Sequence, residues 1–74
     1  MKDQARKRLG QRIRELRQAL GLSREELAEE AGIYRTYIGA VERGERNISL
    51  DNIIALARAL KVSASELLRG VDHC

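Results

Sequence analysis

The apolar residues of this chain recur at the three- and four-residue spacing of amphipathic helices. Near its start, Leu9, Ile13, Leu16 and Leu20 are separated by four, three and four residues, so one helix face carries all of them. Gly21 follows directly and suits a left-handed helix cap. This pattern predicts a first helix over residues 5–20.

Capping residues divide the rest of the chain into further helices. Ser23 with Glu26, and later Ser63 with Glu66, have the spacing of a capping box, and Gly32 is placed to end the first of these two segments. The pattern predicts four more helices, over residues 23–31, 34–43, 49–60 and 64–69. Because a short turn containing glycine joins the second helix to the third, these two are predicted to form a helix-turn-helix.

The third predicted helix has two dissimilar faces. On a helical wheel, Tyr34, Ile38 and Val41 form its core stripe, and Tyr37 lies on the flank. The opposite face carries small and polar residues, namely Arg35, Thr36, Gly39, Ala40 and Arg43. A glycine within a helix costs about 1 kcal/mol relative to alanine, so stability does not explain this face.

Such a face suits a helix that enters the DNA major groove. Small residues let the groove approach the helix axis, Arg35 can donate two hydrogen bonds to guanine, and Thr36 can offer its methyl group to thymine. The alternative is that Gly39 and Ala40 pack beneath a neighbouring helix. Arg24, in the first turn of the second helix, is placed to bind phosphate together with the free helix amides. Further contacts with the DNA backbone are expected from Arg43, Arg46, Asn47, Ser49 and Asn52.

Composition and charge support one helical domain over residues 1–74. The chain has 74 residues, of which 43% are hydrophobic, and it lacks proline, which favours an all-α fold. Residues 1–24 carry eight basic and two acidic side chains, whereas residues 25–42 carry one basic and five acidic ones. This segregation favours one face for an anionic partner and a separate acidic face, with chance clustering on a solvated surface as the alternative.

Signals of secretion, membrane insertion, metal binding and catalysis are lacking in the sequence. The charged N-terminus is unlike a signal peptide, and no apolar run is long enough to span a membrane. The single cysteine, Cys74, allows no internal disulfide and fits a reducing cytoplasm. His73 and Cys74 alone cannot close a metal site, and we interpret residues 71–74, from Val71 to Cys74, as a frayed tail. Without a nucleophile–base arrangement or a glycine-rich phosphate loop, we expect neither an enzyme nor a cofactor.

The stretch "LSREELAEEAGIYRTYIGAVERGERNISLDNIIALARALKVSASELL" resembles the Cro/CI-type helix-turn-helix family, also called the XRE family. The resemblance covers residues 9–68 and implies a compact five-helix bundle of the lambda repressor type. Within the family, "RTYI" followed by "ERGERNISL" is most similar to the controller proteins of restriction–modification systems. It therefore implies a bacterial, cytoplasmic regulator that acts on double-stranded DNA in the nucleoid and controls an endonuclease gene and its own gene.

The family pattern also implies which side chains touch DNA. Base-reading positions of the family correspond here to Arg35, Thr36, Tyr37 and Ala40, the last of which has no polar group. Arg24 matches a phosphate contact at the start of the second helix, and Arg46 and Asn47 match loop positions that contact DNA. For Tyr37, packing against the core and contact with DNA are both left open.

Four charged residues have further implied roles. Arg17 and Glu42 match an internal ion pair that ties the first helix to the third. Glu25 and Glu29 match acidic positions that touch RNA polymerase in related phage activators. Our hypothesis is that these two glutamates form an activation patch that contacts the sigma subunit, and the alternative is a solvated acidic face.

One small module makes few DNA contacts, so we expect a homodimer on a pseudo-palindromic operator, with two dimers per operator left open. We expect the fourth and fifth helices to supply the interface from the surplus apolar residues late in the chain, some of which must belong to the core: Leu50, Ile53, Ile54, Leu67, Leu68 and Val71. Among regulators, the alternatives are a phage-type repressor and an antitoxin-type autorepressor. The alternative from another class is a helix-turn-helix adaptor that binds protein and not DNA.

Overall fold

The computed structural model describes the backbone of residues 2–72 and the side chains of residues 4–72, and this part of the chain forms five α-helices. The helices are α1, Lys2–Ala19; α2, Arg24–Ala31; α3, Arg35–Glu42; α4, Leu50–Ala59; and α5, Ala64–Leu67. The predicted all-α fold is confirmed. α1 begins earlier than predicted, because no capping residue stands at its predicted start, and α5 is shorter than predicted, because the chain continues from Leu68 as turns. Of the predicted frayed tail, residues 71–74, Val71 instead packs against the core, and its carbonyl oxygen accepts from Arg8 Nη1 at 3.4 Å. His73 and Cys74 lie outside the described residues.

The junction from α2 to α3 follows the predicted capping pattern. The Ser23 hydroxyl oxygen accepts from the Glu26 N–H at 3.0 Å, and the Glu26 carboxylate accepts from the Ser23 N–H at 2.8 Å. Gly32 ends α2 with φ +70°, a left-handed conformation that costs glycine little. Because α3 begins at Arg35, the turn is short and α2 and α3 form a helix-turn-helix.

The second predicted capping box is half formed. The Ser63 hydroxyl accepts from the Glu66 N–H at 3.0 Å, as expected. The Glu66 carboxylate, however, accepts from Arg12 of α1, which also donates to the Glu66 carbonyl oxygen at 3.0 Å. The side chain that would have completed the box therefore ties α5 to α1.

The core is aliphatic and fixes the orientation of α3. The side chains with the deepest burial come from every helix: Ile13, Leu27, Ile38, Leu56, Leu60 and Leu67. On its inner side α3 packs against both α1 and α2, while α4 packs against α2 and α5. With two helices holding its apolar side, α3 presents the other side to solvent.

Three residues lie in surroundings that the helical stripes did not predict. Tyr34 was assigned to the core, but it is the N-cap of α3 with an extended backbone and is 84% exposed. Leu20 is 42% exposed because α1 ends at Ala19, before the stripe is complete. Leu67 is fully buried within the protomer, so its assignment to a dimer interface is wrong.

Two glycines allow α1 to lie directly against the end of α3. A Cβ at Gly10, in the middle of α1, would overlap the carbonyl oxygens of Val41 and Glu42. At Gly44, where φ is +77°, a Cβ would lie 2.7 Å from Cγ of Lys7. The contact between α1 and α3 is therefore a backbone contact, and it sets the position of the exposed face of α3.

Candidate nucleic-acid interface

An open cleft of about 480 Å³ lies between the start of α2 and the exposed side of α3. Its lining combines four arginines with one carboxylate and two small residues: Arg17, Ser23, Arg24, Glu25, Arg35, Gly39 and Arg43. We call this surface the basic cleft. Four guanidinium groups beside a helix N-terminus attract anions, because the guanidinium charges and the helix dipole act in the same direction.

Two arginines of the basic cleft are held by the carboxylate of Glu42, whose side chain is 2% exposed. Arg17 donates to it from Nε at 2.7 Å and from Nη2 at 3.2 Å, and Arg17 Nη1 donates to the Leu22 carbonyl oxygen at 2.8 Å. The ion pair implied by the family resemblance is thus present. Arg24 shares the same carboxylate, with Nε at 3.1 Å from Glu42, and its side chain is about half exposed toward the cleft.

The first turn of α3 forms the outer edge of the basic cleft. Arg35 and Thr36 are both exposed there, and Arg35 Nη1 lies 3.3 Å from Oε2 of Glu25. Ala40, one turn further, is half-buried. Tyr34 is an exposed candidate contact that the wheel missed; its position just before the helix, at the N-cap, is the signal that would have revealed it.

Gly39 does not pack beneath a neighbouring helix. It is buried, yet a Cβ built there would meet within 4 Å nothing but Nη1 of Arg43, at 3.2 Å. The alternative in which Gly39 packs beneath a neighbouring helix is therefore wrong. The missing side chain leaves room for the Arg43 guanidinium inside the basic cleft.

The loop after α3 carries two ordered arginines. Arg43 donates to the Glu45 carboxylate from Nε at 3.0 Å and from Nη2 at 3.2 Å. These hydrogen bonds lower the pKa of the Glu45 carboxyl below its ordinary value and raise the pKa of Arg43 above its own. The Arg46 guanidinium lies 5.4 Å from the centre of the Tyr37 ring, a cation–π distance, and Tyr37 also packs against the core.

Residues further along this loop are exposed around the start of α4. Asn47 and Ser49 are exposed, and Asn52 is half-buried. The Ser49 hydroxyl oxygen caps α4 by accepting from the Asn52 N–H at 3.2 Å, which leaves the hydroxyl proton as a donor. Contacts of these residues with DNA stay a prediction.

The two glutamates of the predicted activation patch have different surroundings. Glu25 lines the basic cleft and pairs with Arg35, whereas Glu29 is exposed on α2 and forms no ion pair within the described part of the chain. The fold therefore does not present them as one uniform patch. Their contact with RNA polymerase stays a prediction.

The apolar residues predicted to form a dimer interface separate into three groups. Leu67 belongs to the core, as described above. Ile53, Leu68 and Val71 are half-buried against the edge of the core. Leu50, which is 69% exposed, and Ile54 lie one turn apart on α4. Leu50 is thus the one exposed residue of the predicted interface, and the half-buried Ile54 lies beside it.

Two further expectations concern metals and membranes. Within residues 2–72, no cluster of three or more His, Cys, Asp or Glu residues is arranged to hold a metal ion. None of the helices in the described range combines the length and apolar character needed to cross a membrane.

A helix-turn-helix with a basic cleft along its second helix defines a DNA-binding module. The chain belongs to the helix-turn-helix family, whose model matches residues 13–67. Both the predicted family and the predicted function of a DNA-binding transcription regulator are confirmed.

Three similar proteins place the chain more closely within this family. Control protein C.SmaI of Serratia marcescens is 50% identical over 60 residues, which are 81% of this chain and 71% of that protein. The restriction-modification controller protein C.AhdI from Aeromonas hydrophila has a crystal structure with a TM-score of 0.82 and 55% identity, covering 84% of this chain and 94% of that one. The biofilm regulator SinR, solved in complex with DNA, has a TM-score of 0.77 and 38% identity over 81% of this chain and 97% of its own.

Proposed function

We propose that this protein controls a restriction–modification operon by binding, as a homodimer, a pseudo-palindromic operator upstream of its own gene. Similarity to control proteins, one of them a restriction-modification controller protein, supports the assignment to such an operon, and the fold supports the mode of DNA binding. α3 enters the major groove, and the N-terminus of α2 lies against the DNA backbone. The dimer presents two copies of α3, which gives the operator its two-fold symmetry.

The position of Arg35 carries this proposal. It is exposed at the first residue of α3, the end of a recognition helix that usually reaches the base edges. Its guanidinium suits the O6 and N7 atoms of guanine. Behind it, Arg24 and Arg43 lie in the basic cleft, where they suit phosphate.

Replacing Arg35 by alanine tests the proposal. The expected loss is about 1–3 kcal/mol of binding free energy for a duplex taken from upstream of the protein's own gene, because one base contact disappears. Arg14→Ala is the matched control, since Arg14 is exposed on α1 and does not line the basic cleft. Fluorescence anisotropy titrations with the upstream duplex and with a scrambled duplex of equal length measure both affinities.

The competing functions give different results in the same titrations. A protein-binding adaptor would show neither a preference for the upstream duplex nor the steep salt dependence of phosphate contacts. A phage-type repressor or an antitoxin would bind DNA, but its gene would lie beside phage or toxin genes. Neighbouring endonuclease and methyltransferase genes are expected under the proposed function.

A further inference from the structure

Glu25 is an acidic residue in the basic cleft, a surface where attraction to DNA would favour only basic residues. Among the seven residues that line the basic cleft it is the single carboxylate, and four of the others are arginines. A carboxylate at this point repels phosphate. The helix dipole favours a negative charge in the first turn of α2, where Glu25 lies. The dipole does not, however, account for the contact of Glu25 with Arg35.

Glu25 contacts one of the three nitrogens of the Arg35 guanidinium group, Nη1. Oε2 of Glu25 lies 3.3 Å from Nη1 of Arg35, and no other hydrogen bond to Arg35 side-chain nitrogens occurs among the described residues. The edge formed by Nε and Nη2 therefore keeps two parallel donors, which can serve a base.

Arg43 provides the contrast on the same surface. There, the Glu45 carboxylate accepts from both Nε and Nη2, so the edge that would read a base is already occupied. Glu25 thus accepts from Nη1 of Arg35 alone, whereas Glu45 accepts from both Nε and Nη2 of Arg43.

We propose that Glu25 is a positioning residue that sharpens the sequence specificity of Arg35. By holding Nη1, it turns the Nε–Nη2 edge toward the groove, and it can stay in contact while that edge reads guanine. A phosphate that competes for Arg35 must approach the same carboxylate and is repelled. Glu25 therefore favours base contact over phosphate contact, and this inference rests on the proposed function.

The test compares Glu25→Gln with Glu30→Gln in the anisotropy titrations described above. Glu30 is the matched control, because it lies exposed on the same helix, has the same charge, and does not line the basic cleft. For Glu25→Gln we expect the ratio of the scrambled-duplex Kd to the upstream-duplex Kd to fall about threefold to fivefold, the size typical of an exposed ion pair. For Glu30→Gln both Kd values shift together and the ratio stays as in the wild type.

A second background separates positioning from a structural role. In Arg35→Ala protein, adding Glu25→Gln is expected to leave the ratio unchanged, because Glu25 acts through Arg35. Thermal unfolding of each variant shows whether the loss of a helix-dipole contact alters the fold. The inference is overturned if Glu25→Gln leaves the Kd ratio at its wild-type value. It is also overturned if Glu25→Gln lowers the ratio equally in the wild-type and Arg35→Ala proteins. A wild type that shows no preference for the upstream duplex would instead overturn the proposed function.

Discussion

The carboxylate of Glu42 is the charged group on which the geometry of the basic cleft depends most. It accepts from Arg17 and from Arg24, and it is almost completely buried. The sequence pattern implied a pair with Arg17, but the participation of Arg24 depends on how α2 lies against α3. Buried ion pairs add little net stability when intact, yet losing one partner leaves the other charge unpaired.

Glu42→Gln is therefore expected to lower the free energy of unfolding by about 3–5 kcal/mol, because Arg17 stays buried without a counter-charge. Urea denaturation followed by circular dichroism measures the change. Glu45→Gln is the control, since its ion pair with Arg43 is exposed, and its unfolding midpoint should stay near that of the wild type. Equal shifts for the two variants would contradict the structural role of Glu42.

The contact between α1 and α3 is decided by residues that lack a side chain. From the sequence alone, Gly10 is only a weak helix former within α1. A helical wheel shows which face Gly10 lies on, but it does not show how close another helix comes to that face. The structure shows that its absent Cβ lets the backbone of α3 approach. Gly39, within α3, is different, since the guanidinium of Arg43 is flexible and can move aside.

These two helical glycines predict opposite outcomes for the same substitution. Gly10→Ala gains about 1 kcal/mol of helix propensity but overlaps fixed carbonyl oxygens, and we expect a net loss of about 1–3 kcal/mol in the free energy of unfolding. Gly39→Ala should keep or raise stability, because the Arg43 side chain can adjust. Urea denaturation of both variants measures the difference, and a stabilising Gly10→Ala would show that α1 and α3 are not in backbone contact.

The molecule as a whole has a basic surface and an apolar surface on different helices. The basic cleft runs along α2 and α3, whereas the exposed Leu50 and the half-buried Ile54 lie together on α4. Apolar surface that stays accessible in a protomer suits the proposed homodimer, because burial removes it from water. A small domain also gains stability from such an interface.

Ile54→Glu is expected to convert the dimer to a monomer while the helix content is retained, because Ile54 is not part of the buried core. Sedimentation velocity at micromolar concentration measures the mass, and circular dichroism measures the helix content. Leu20→Glu is the control, as Leu20 is an exposed apolar residue that lies at the end of α1. A wild type that sediments as a monomer at this concentration would contradict the proposed dimer.

Local signals sufficed for the helices and for the family. Capping at Ser23, the left-handed Gly32 and the spacing of apolar residues act within one or two turns, so they can be read from the chain alone. The same signals placed Arg35 and Thr36 at the exposed start of α3. No capping side chain marks the start of α3, so the sequence placed Tyr34 in the core stripe, whereas it is an exposed N-cap.

The sequence by itself thus determined an all-α helix-turn-helix chain whose third helix exposes Arg35 and Thr36 at its start. The tertiary structure alone decided three further charge contacts: Arg24 joins Arg17 on Glu42, Glu25 meets Arg35, and Glu66 meets Arg12 in place of its own cap. It also decided which apolar residues are buried and why α1 carries a glycine. The physical reason is that these contacts join helices that are distant in sequence, and their geometry depends on the packing of the whole core.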